Sequence, residues 1–318
     1  MHSETNAKGK MVYLGGWGRS GSSLIANILG SIPGAMSVGE LRYIWDRGVI
    51  ENRHCGCRDK FQSCRFWSQV FSRASIPMDR EFAERLSNTV GSNGIYAQLK
   101  HMLLGKFVKH NAAYEADNQI LDKLYSAIAA ESGCDVIVDS SKTPPYAINL
   151  EGRDGFDMFF IHLVRDPRAV AFSWKRKRDT GESADVSWFP RYSVIKSAAY
   201  WLGINFLGLL FRLRSPERYL RVRYEDFCED PKTVIDEISA FCSIDSSQLN
   251  WQSPTSVTVQ GQHSISGNPS RFRIGQIEIR ADDEWREKMP RGAKWLVTAL
   301  CAPLLAFFGY RLGTAGKE

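Results

Sequence analysis

The sequence predicts an α/β fold: a doubly wound parallel sheet flanked by helices, with a helical insertion. Three observations carry this. Four apolar runs are continuous rather than alternating, as in strands covered on both faces. Helical patterns separate them, giving a β-α-β-α rhythm. The first run leads through a glycine-rich loop directly into a helix.

The first strand centres on Val12–Leu14, within Lys10–Gly15 (KMVYLG). Gly16, Trp17, Gly18, Arg19, Ser20, Gly21, Ser22 and Ser23 follow, then the helical pattern Leu24, Ile25, Ile28, Leu29. Strand, loop and helix in this order place backbone N–H groups and a positive helix end around one anion. Gly16 and Gly21 keep the G-x-x-x-x-G spacing of a nucleotide-triphosphate P-loop, which makes the expected fold P-loop NTPase-like. Ser22, however, stands where that motif has its lysine. The loop's cation is Arg19. The ligand expected here is phosphorylated, and ordinary ATP or GTP hydrolysis is disfavoured.

The other expected strands are Val136–Val138, Met158–Val164 and Tyr219–Val222. A helical pattern over Asn118–Ala130 precedes the second strand. Prolines in first-turn positions open helices at Thr143–Pro145 and, through Pro167, over Arg168–Arg178. A long pattern from Arg191 to Leu213 leads to the fourth strand. Ligands of such a sheet lie outside the carboxyl ends of its strands. Residues 43–115 break the rhythm with charged amphipathic stretches, so the reading is a single domain over 8–318 with a helical cap inserted at about 43–115.

The net charge of +6 over 318 residues suggests an anionic ligand and is too mild for nucleic acid, for which no arginine-rich arm appears. Seven cysteines, an odd number, and a polar N-terminus predict a reducing, cytoplasmic setting. Trp295–Tyr310 is apolar but only 16 residues long, short for a membrane span. A buried C-terminal helix is expected there, with peripheral membrane contact the lesser alternative. His54-Cys55-Gly56-Cys57…Cys64 has metal-ligand residue types but no second close pair. Free thiols or one local disulfide are expected, with a zinc site as the alternative. His162, inside an apolar strand, reads as a core histidine. Nothing in the sequence sets an oligomeric state.

A second anion site lies in Leu163-Val164-Arg165-Asp166-Pro167-Arg168-Ala169-Val170-Ala171-Phe172-Ser173. Arg165 ends a buried strand, and Ser173 lies two helical turns on, about 11 Å, which arginine's long side chain helps to span. Both can meet one phosphate, the guanidinium as a bidentate partner and the hydroxyl as a donor. Two anion sites on neighbouring strand ends suggest a nucleotide with two separated phosphate groups.

With these residues the chain resembles the sulfotransferases that use 3′-phosphoadenosine-5′-phosphosulfate (PAPS), and is closest to the carbohydrate and tyrosyl-protein types. The resemblance implies that Gly18, Arg19, Ser20, Gly21, Ser22 and Ser23 hold the 5′-phosphosulfate, and that Arg165 and Ser173 hold the 3′-phosphate. Arg223-Tyr224-Glu225-Asp226-Phe227 resembles a family segment whose tyrosine lies beside the adenine, which gives Tyr224 that role. His263–Phe272 resembles a late family loop that closes over the nucleotide and sets Arg271 near the 3′-phosphate. Glu40, in Val38-Gly39-Glu40-Leu41-Arg42, matches the family's general base, and Arg42 a substrate-side arginine. Lys142 matches a lysine facing the sulfuryl group. Its place at a helix start favours a shared anion, because the helix dipole disfavours a lone cation there.

The activity implied is sulfuryl transfer to an acceptor hydroxyl, of a carbohydrate, a tyrosine or another alcohol. The protein aligns the attack and stabilises charge on the leaving oxygen, with no metal expected, while a base takes the acceptor's proton. The cap and the Asp179–Tyr192 loop would shape the acceptor pocket, and Lys175-Arg176-Lys177-Arg178 is open to an acidic acceptor. Two other readings stay open. A kinase or NTPase with a degenerate Walker A predicts magnesium-dependent ATP binding, and a non-catalytic nucleotide-binding relative predicts binding without turnover.

Overall fold

The computed structural model of the protein describes residues 8–91, 112–153, 155–176 and 191–313. Its centre is a five-stranded parallel sheet of β1 (Gly9–Gly15), β2 (Ala35–Gly39), β3 (Val136–Lys142), β4 (Phe156–Val164) and β5 (Tyr219–Arg223). The order is β2-β3-β1-β4-β5. β1 lies in the middle, with Val12 level with Val138 on one side and Phe159 on the other. The chain moves to opposite sides of β1, so the crevice a ligand would use opens where β1, β3 and β4 end.

Sequence periodicity identified four of these strands and not β2. Its residues, AMSVG, are all buried, but Ser37 and Gly39 interrupt Ala35, Met36 and Val38, so they carry no long apolar run. A second sheet was also not expected. Strands β6 (Trp251–Ser253), β7 (Ser256–Val259) and β8 (Gly275–Glu278) form a short antiparallel sheet. It packs Val257, Val259 and Ile277 into the core beneath Ile25 and Ile28 of α1 (Ser22–Leu29).

Between β2 and β3 come a π-helical stretch Ile44–Ile50 and the helices α2 (Arg65–Ala74), α3 (Arg80–Thr89) and α4 (Ala112–Ser132). Trp45, Trp67 and Phe71 of this region share one core with Met11, Tyr13 and Ile137 of the sheet. The following helices are α5 (Pro144–Leu150), α6 (Pro167–Lys175), α7 (Val194–Arg214), α8 (Tyr224–Glu229), α9 (Pro231–Phe241), α10 (Glu284–Lys288) and α11 (Arg291–Phe307). Proline opens α5, α6 and α9 in the first turn, where a missing N–H costs nothing.

The C-terminal helix is half-buried rather than buried. Val297, Cys301 and Leu305 of α11 pack with Val170 and Trp201, while Trp295 and Phe307 are 57% and 50% exposed. Among the described residues, α7 is the helix long and apolar enough to cross a membrane, with a third of its most apolar window buried.

His162 of β4 is fully buried between two partners, Tyr219 Oη at 2.7 Å and Asn205 Oδ1 at 2.9 Å. Burial holds its imidazole down at about 4. In an unfolded chain it titrates near ~6.5. Between those values the unfolded chain takes up a proton that the folded one refuses. This contribution is therefore complete above ~6.5 and shrinks, by at most about 3 kcal/mol, as pH falls towards 4. Asp139, raised to about 6 by its own burial, works in the opposite direction, so the test is a difference. The urea midpoint of the wild type should fall more steeply from pH 7 to 4.5 than that of His162→Gln. Parallel slopes would show that His162 is not held neutral.

Candidate active site

A cleft of about 570 Å³ opens at the carboxyl ends of β1, β3 and β4. Its floor is the glycine loop. Gly16 sits at φ 128°, and its N–H donates to Lys142 O at 2.8 Å. A Cβ there would lie 2.2 Å from Leu163 O. Gly21, at φ 84°, starts α1 without a side-chain cap; Leu24 N–H donates to Gly21 O at 2.9 Å, and no capping side chain competes for the amides of Ser22 and Ser23 at the cleft end. Arg19 also takes a positive φ, 74°. Such strain costs about 1–3 kcal/mol and concentrates at functional sites. Ser20 Oγ donates back to Trp17 O at 2.8 Å, bracing the loop. Ser23 Oγ accepts from the N–H of Asn268 at 3.3 Å.

Glu40 and Lys142 come from the ends of β2 and β3. Lys142 Nζ donates to Glu40 Oε1 in a close ion pair. Arg47 Nη1 stands 3.8 Å from the other carboxylate oxygen. Burial pushes the Glu40 carboxyl up, but Lys142 and Arg47 together outweigh it and hold the group below its ordinary value. Lys142 adopts φ 72° at the end of β3, and its ammonium reaches Glu40. Arg42, buried, donates from Nη1 to Thr143 Oγ1 at 2.8 Å, and its own N–H donates to Ser141 Oγ at 3.0 Å.

Arg165 is almost wholly buried. Its guanidinium lies 4.2 Å over the Tyr224 ring and donates to Arg19 O at 3.0 Å and Asp282 O at 2.8 Å. Among the described residues no protein group bonds Arg165 Nε, and the same holds for Ser173 Oγ, also buried. Tyr224 covers the open side of Gly21, where a Cβ would come within 2.8 Å of its ring. The loop arginine, the strand-end arginine and this tyrosine thus meet in one corner.

Arg271 lines the cleft, yet the structure uses its guanidinium as a brace. It donates to Ser264 O at 2.7 Å and His54 O at 2.8 Å. The loop carrying it extends β2, with Ile265 N–H donating to Val38 O at 2.8 Å and Glu40 N–H to Ile265 O at 2.7 Å.

Sequence reasoning missed several lining residues. Asp282 Oδ2 lies 3.7 Å from Arg165 and 3.1 Å from Arg176. Arg47 reaches Glu40 and Ser266. Trp17, Trp174 and Tyr200 form an aromatic wall, with Trp17 stacked on Tyr200 at 4.9 Å. Of the basic run, Arg176 is paired with Asp282 and Glu284, while Lys177 and Arg178 lie outside the described residues. So does the 179–190 part of the loop expected to shape the pocket; its last residue, Tyr192, does line the cleft. Only a motif rule could have flagged these positions, and none has a local signature.

The glycine loop, Arg165 at the end of β4 and the Glu40–Lys142 pair thus share one cleft at the carboxyl ends of the sheet, an arrangement suited to group transfer to or from an anionic ligand. The sequence model of the Sulfotransferase family matches residues 12–248, and the chain belongs to that family. It is similar to carbohydrate sulfotransferase 5 of Mus musculus, with 24% identity over 95% of this chain and 80% of that protein. It is also similar to carbohydrate sulfotransferase 3 of Homo sapiens, with 28% identity over 49% of this chain and 34% of that one. Among solved structures, the sulfotransferase domain of the Synechococcus PCC 7002 olefin synthase superposes with a TM-score of 0.52 at 20% identity, covering 98% of this chain and 100% of that chain. The sulfotransferase domain from the curacin biosynthetic pathway does so at 0.51 and 18%, covering 96% and 99%. These structures share the fold.

Gly16→Ala should destabilise the protein by about 2 kcal/mol or more, because the new Cβ meets a backbone oxygen and the φ suits glycine. Urea unfolding measures this. A variant as stable as the wild type would mean the loop can relax away from Leu163.

Proposed function

We propose that this chain transfers a sulfuryl group from PAPS to an acceptor hydroxyl. The observation that carries the reading is the convergence, in one cleft, of the glycine loop, Arg165 beside Tyr224, and the Glu40–Lys142 pair. The residues fit the donor. Arg165 Nε and Ser173 Oγ are buried polar atoms that a 3′-phosphate would satisfy. The Asp282 carboxylate, held near Arg165 and Arg176, marks a spot that stabilises negative charge and must yield to a phosphate. Gly18 to Ser23 hold the phosphosulfate through loop amides and hydroxyls, with Arg19 supplying charge. Tyr224 flanks the adenine.

Glu40 acts as the base. While paired with Lys142 it is a poor one, since its lowered pKa weakens its hold on a proton. Negative charge arriving at the loop draws Lys142 away, and the freed carboxylate becomes more basic beside the acceptor. Lys142 then stabilises the charge that develops on the leaving oxygen. Arg42 and Arg47 bound the acceptor side. The carbohydrate sulfotransferase relatives make a sugar hydroxyl the first acceptor to try, and the wall of Trp17, Trp174 and Tyr200 offers flat apolar faces for it. A reducing, cytoplasmic setting is proposed from the odd cysteine count.

Calorimetry should show binding of 3′-phosphoadenosine-5′-phosphate without magnesium, weakened at least ~10-fold by Arg165→Ala. No binding by folded protein would overturn the donor assignment. Transfer of radiolabelled sulfate to a sugar panel should be detectable, and binding without any transfer would favour the non-catalytic reading.

Glu40→Gln should lower kcat by ~10²–10⁴ while leaving nucleotide affinity within a few-fold. In the wild type the acid limb of kcat/KM should lie below pH 4.5, since the free enzyme's carboxyl sits under that value, with the limb of kcat displaced upward. A limb in kcat/KM near pH 6 would exclude the paired Glu40 as the base.

A further inference from the structure

Cys55, Cys57, Cys64 and His263 bring one ligand atom each into a group whose members all lie within 4.8 Å of one another. Cys64 Sγ is 3.3 Å from His263 Nδ1 and 3.6 Å from Cys57 Sγ, and Cys55 Sγ is 3.7 Å from His263 Nδ1. Zinc bonds of ~2.3 Å to sulfur and ~2.0–2.1 Å to nitrogen give a tetrahedron with S···S edges of about 3.8 Å and S···N edges of about 3.5 Å. The observed separations of 3.3 to 3.7 Å match those edges. A disulfide would use two of the sulfurs and leave the third facing the imidazole, which does not account for four ligand atoms around one point.

We propose that these four residues form a structural Cys₃His zinc site. The ligands come from rigid places. Cys55 and Cys57 flank the tip of a tight turn, in which Cys55 N–H donates to Asp59 O at 2.8 Å and Arg58 N–H to Cys55 O at 2.8 Å. Cys64 is the residue before α2. The His263 ring is stacked on Phe66 at 4.7 Å and 13°, and Trp67 Nε1 donates to the carbonyl of His263 at 3.1 Å. Backbone amides of Trp67 and Cys57 bond the sulfurs of Cys64 and Cys55, the outer-shell support that orients thiolate ligands. Cys55 and Cys64 are buried. Four protein ligands fill the coordination shell, which marks a structural site rather than a catalytic one. On binding, three thiols release their protons to solvent, leaving the site with one net negative charge.

The site lies outside the transfer chemistry, but it fastens what borders the cleft. His263 is followed by Ser264, whose carbonyl accepts from Gly56 N–H at 2.9 Å, and by Ile265, paired to β2 beside Glu40. A metal at this point joins the turn at 54–64 to a loop about 200 residues later in the chain, so it closes a very long loop in the folded state.

Full-length protein from zinc-supplemented culture should carry one zinc per chain by elemental mass spectrometry. Zinc X-ray absorption should show three sulfurs and one nitrogen. Cobalt exchanged into the site should give thiolate charge-transfer and intense tetrahedral d–d bands. Cys64→Ser and His263→Ala should lose the metal, while Cys134→Ser keeps it. Chelation should lower the Tm of the wild type and not that of Cys64→Ser. If those variants do not fold, the wild-type cobalt and absorption spectra decide alone. Folded, fully reduced protein that takes up neither zinc nor cobalt would overturn the site, as would a zinc spectrum dominated by oxygen ligands.

Discussion

The ion pair between Glu40 and Lys142 is the interaction on which the cleft depends. Each residue ends a neighbouring strand, and each carries a charge that burial would otherwise disfavour. Removing two charges from water costs several kcal/mol apiece, so neither is tolerated without the other or an added partner. Arg47 supplies that partner for Glu40. The β2–β3 ladder sets the relative height of the two strands, and the pair joins their ends beside the glycine loop. The pair also stores a change: any ligand anion that competes for Lys142 alters the basicity of Glu40 in the same event.

Around this pair the backbone is held in conformations that glycine favours. Gly16 and Arg19 take positive φ, Gly21 starts α1 without a side-chain cap, and Gly16 N–H ties the loop to Lys142 O. The loop after β7 closes the other side by adding Ile265 to β2 and laying Asn268 on Ser23. Arg271, which the family resemblance places on a phosphate, is drawn into holding this loop by two carbonyls. A buried guanidinium can serve backbone oxygens as well as a ligand, and only the tertiary contacts distinguish the two.

Legibility in the sequence followed the range of each physical signal. The glycine loop, the prolines opening α5 and α6, and the continuous runs of β1, β3 and β4 act within a few residues, and their composition shows them. β2 was not legible because Ser37 and Gly39 break its apolar residues into a pattern too short to read, although Met36 and Val38 join the core. Glu40, Lys142 and Arg165 were readable as residues, but not their pairing with Arg47 and Asp282. His263 shows the limit most clearly. It stands about 200 residues from Cys64 in sequence and 3.3 Å from it in space, and no local pattern announces that contact.

The charge of the chain gains a location from the structure. Among the described residues, eight arginine or lysine side chains and two carboxylates line the cleft, an excess of six. The formal net charge of the whole protein is also +6. The rest of the chain therefore sums to no formal charge, and the cleft carries an excess equal to that of the whole protein. Walls of low dielectric around the cleft focus its field and raise the local concentration of anions. A mild overall charge, too weak to indicate nucleic acid, is strong when gathered over about 570 Å³. It suits a small ligand with several negative groups. Asp282 and Glu40, the two acids within it, are each held by two basic side chains, so an anion of higher charge can compete for the same arginines and lysine.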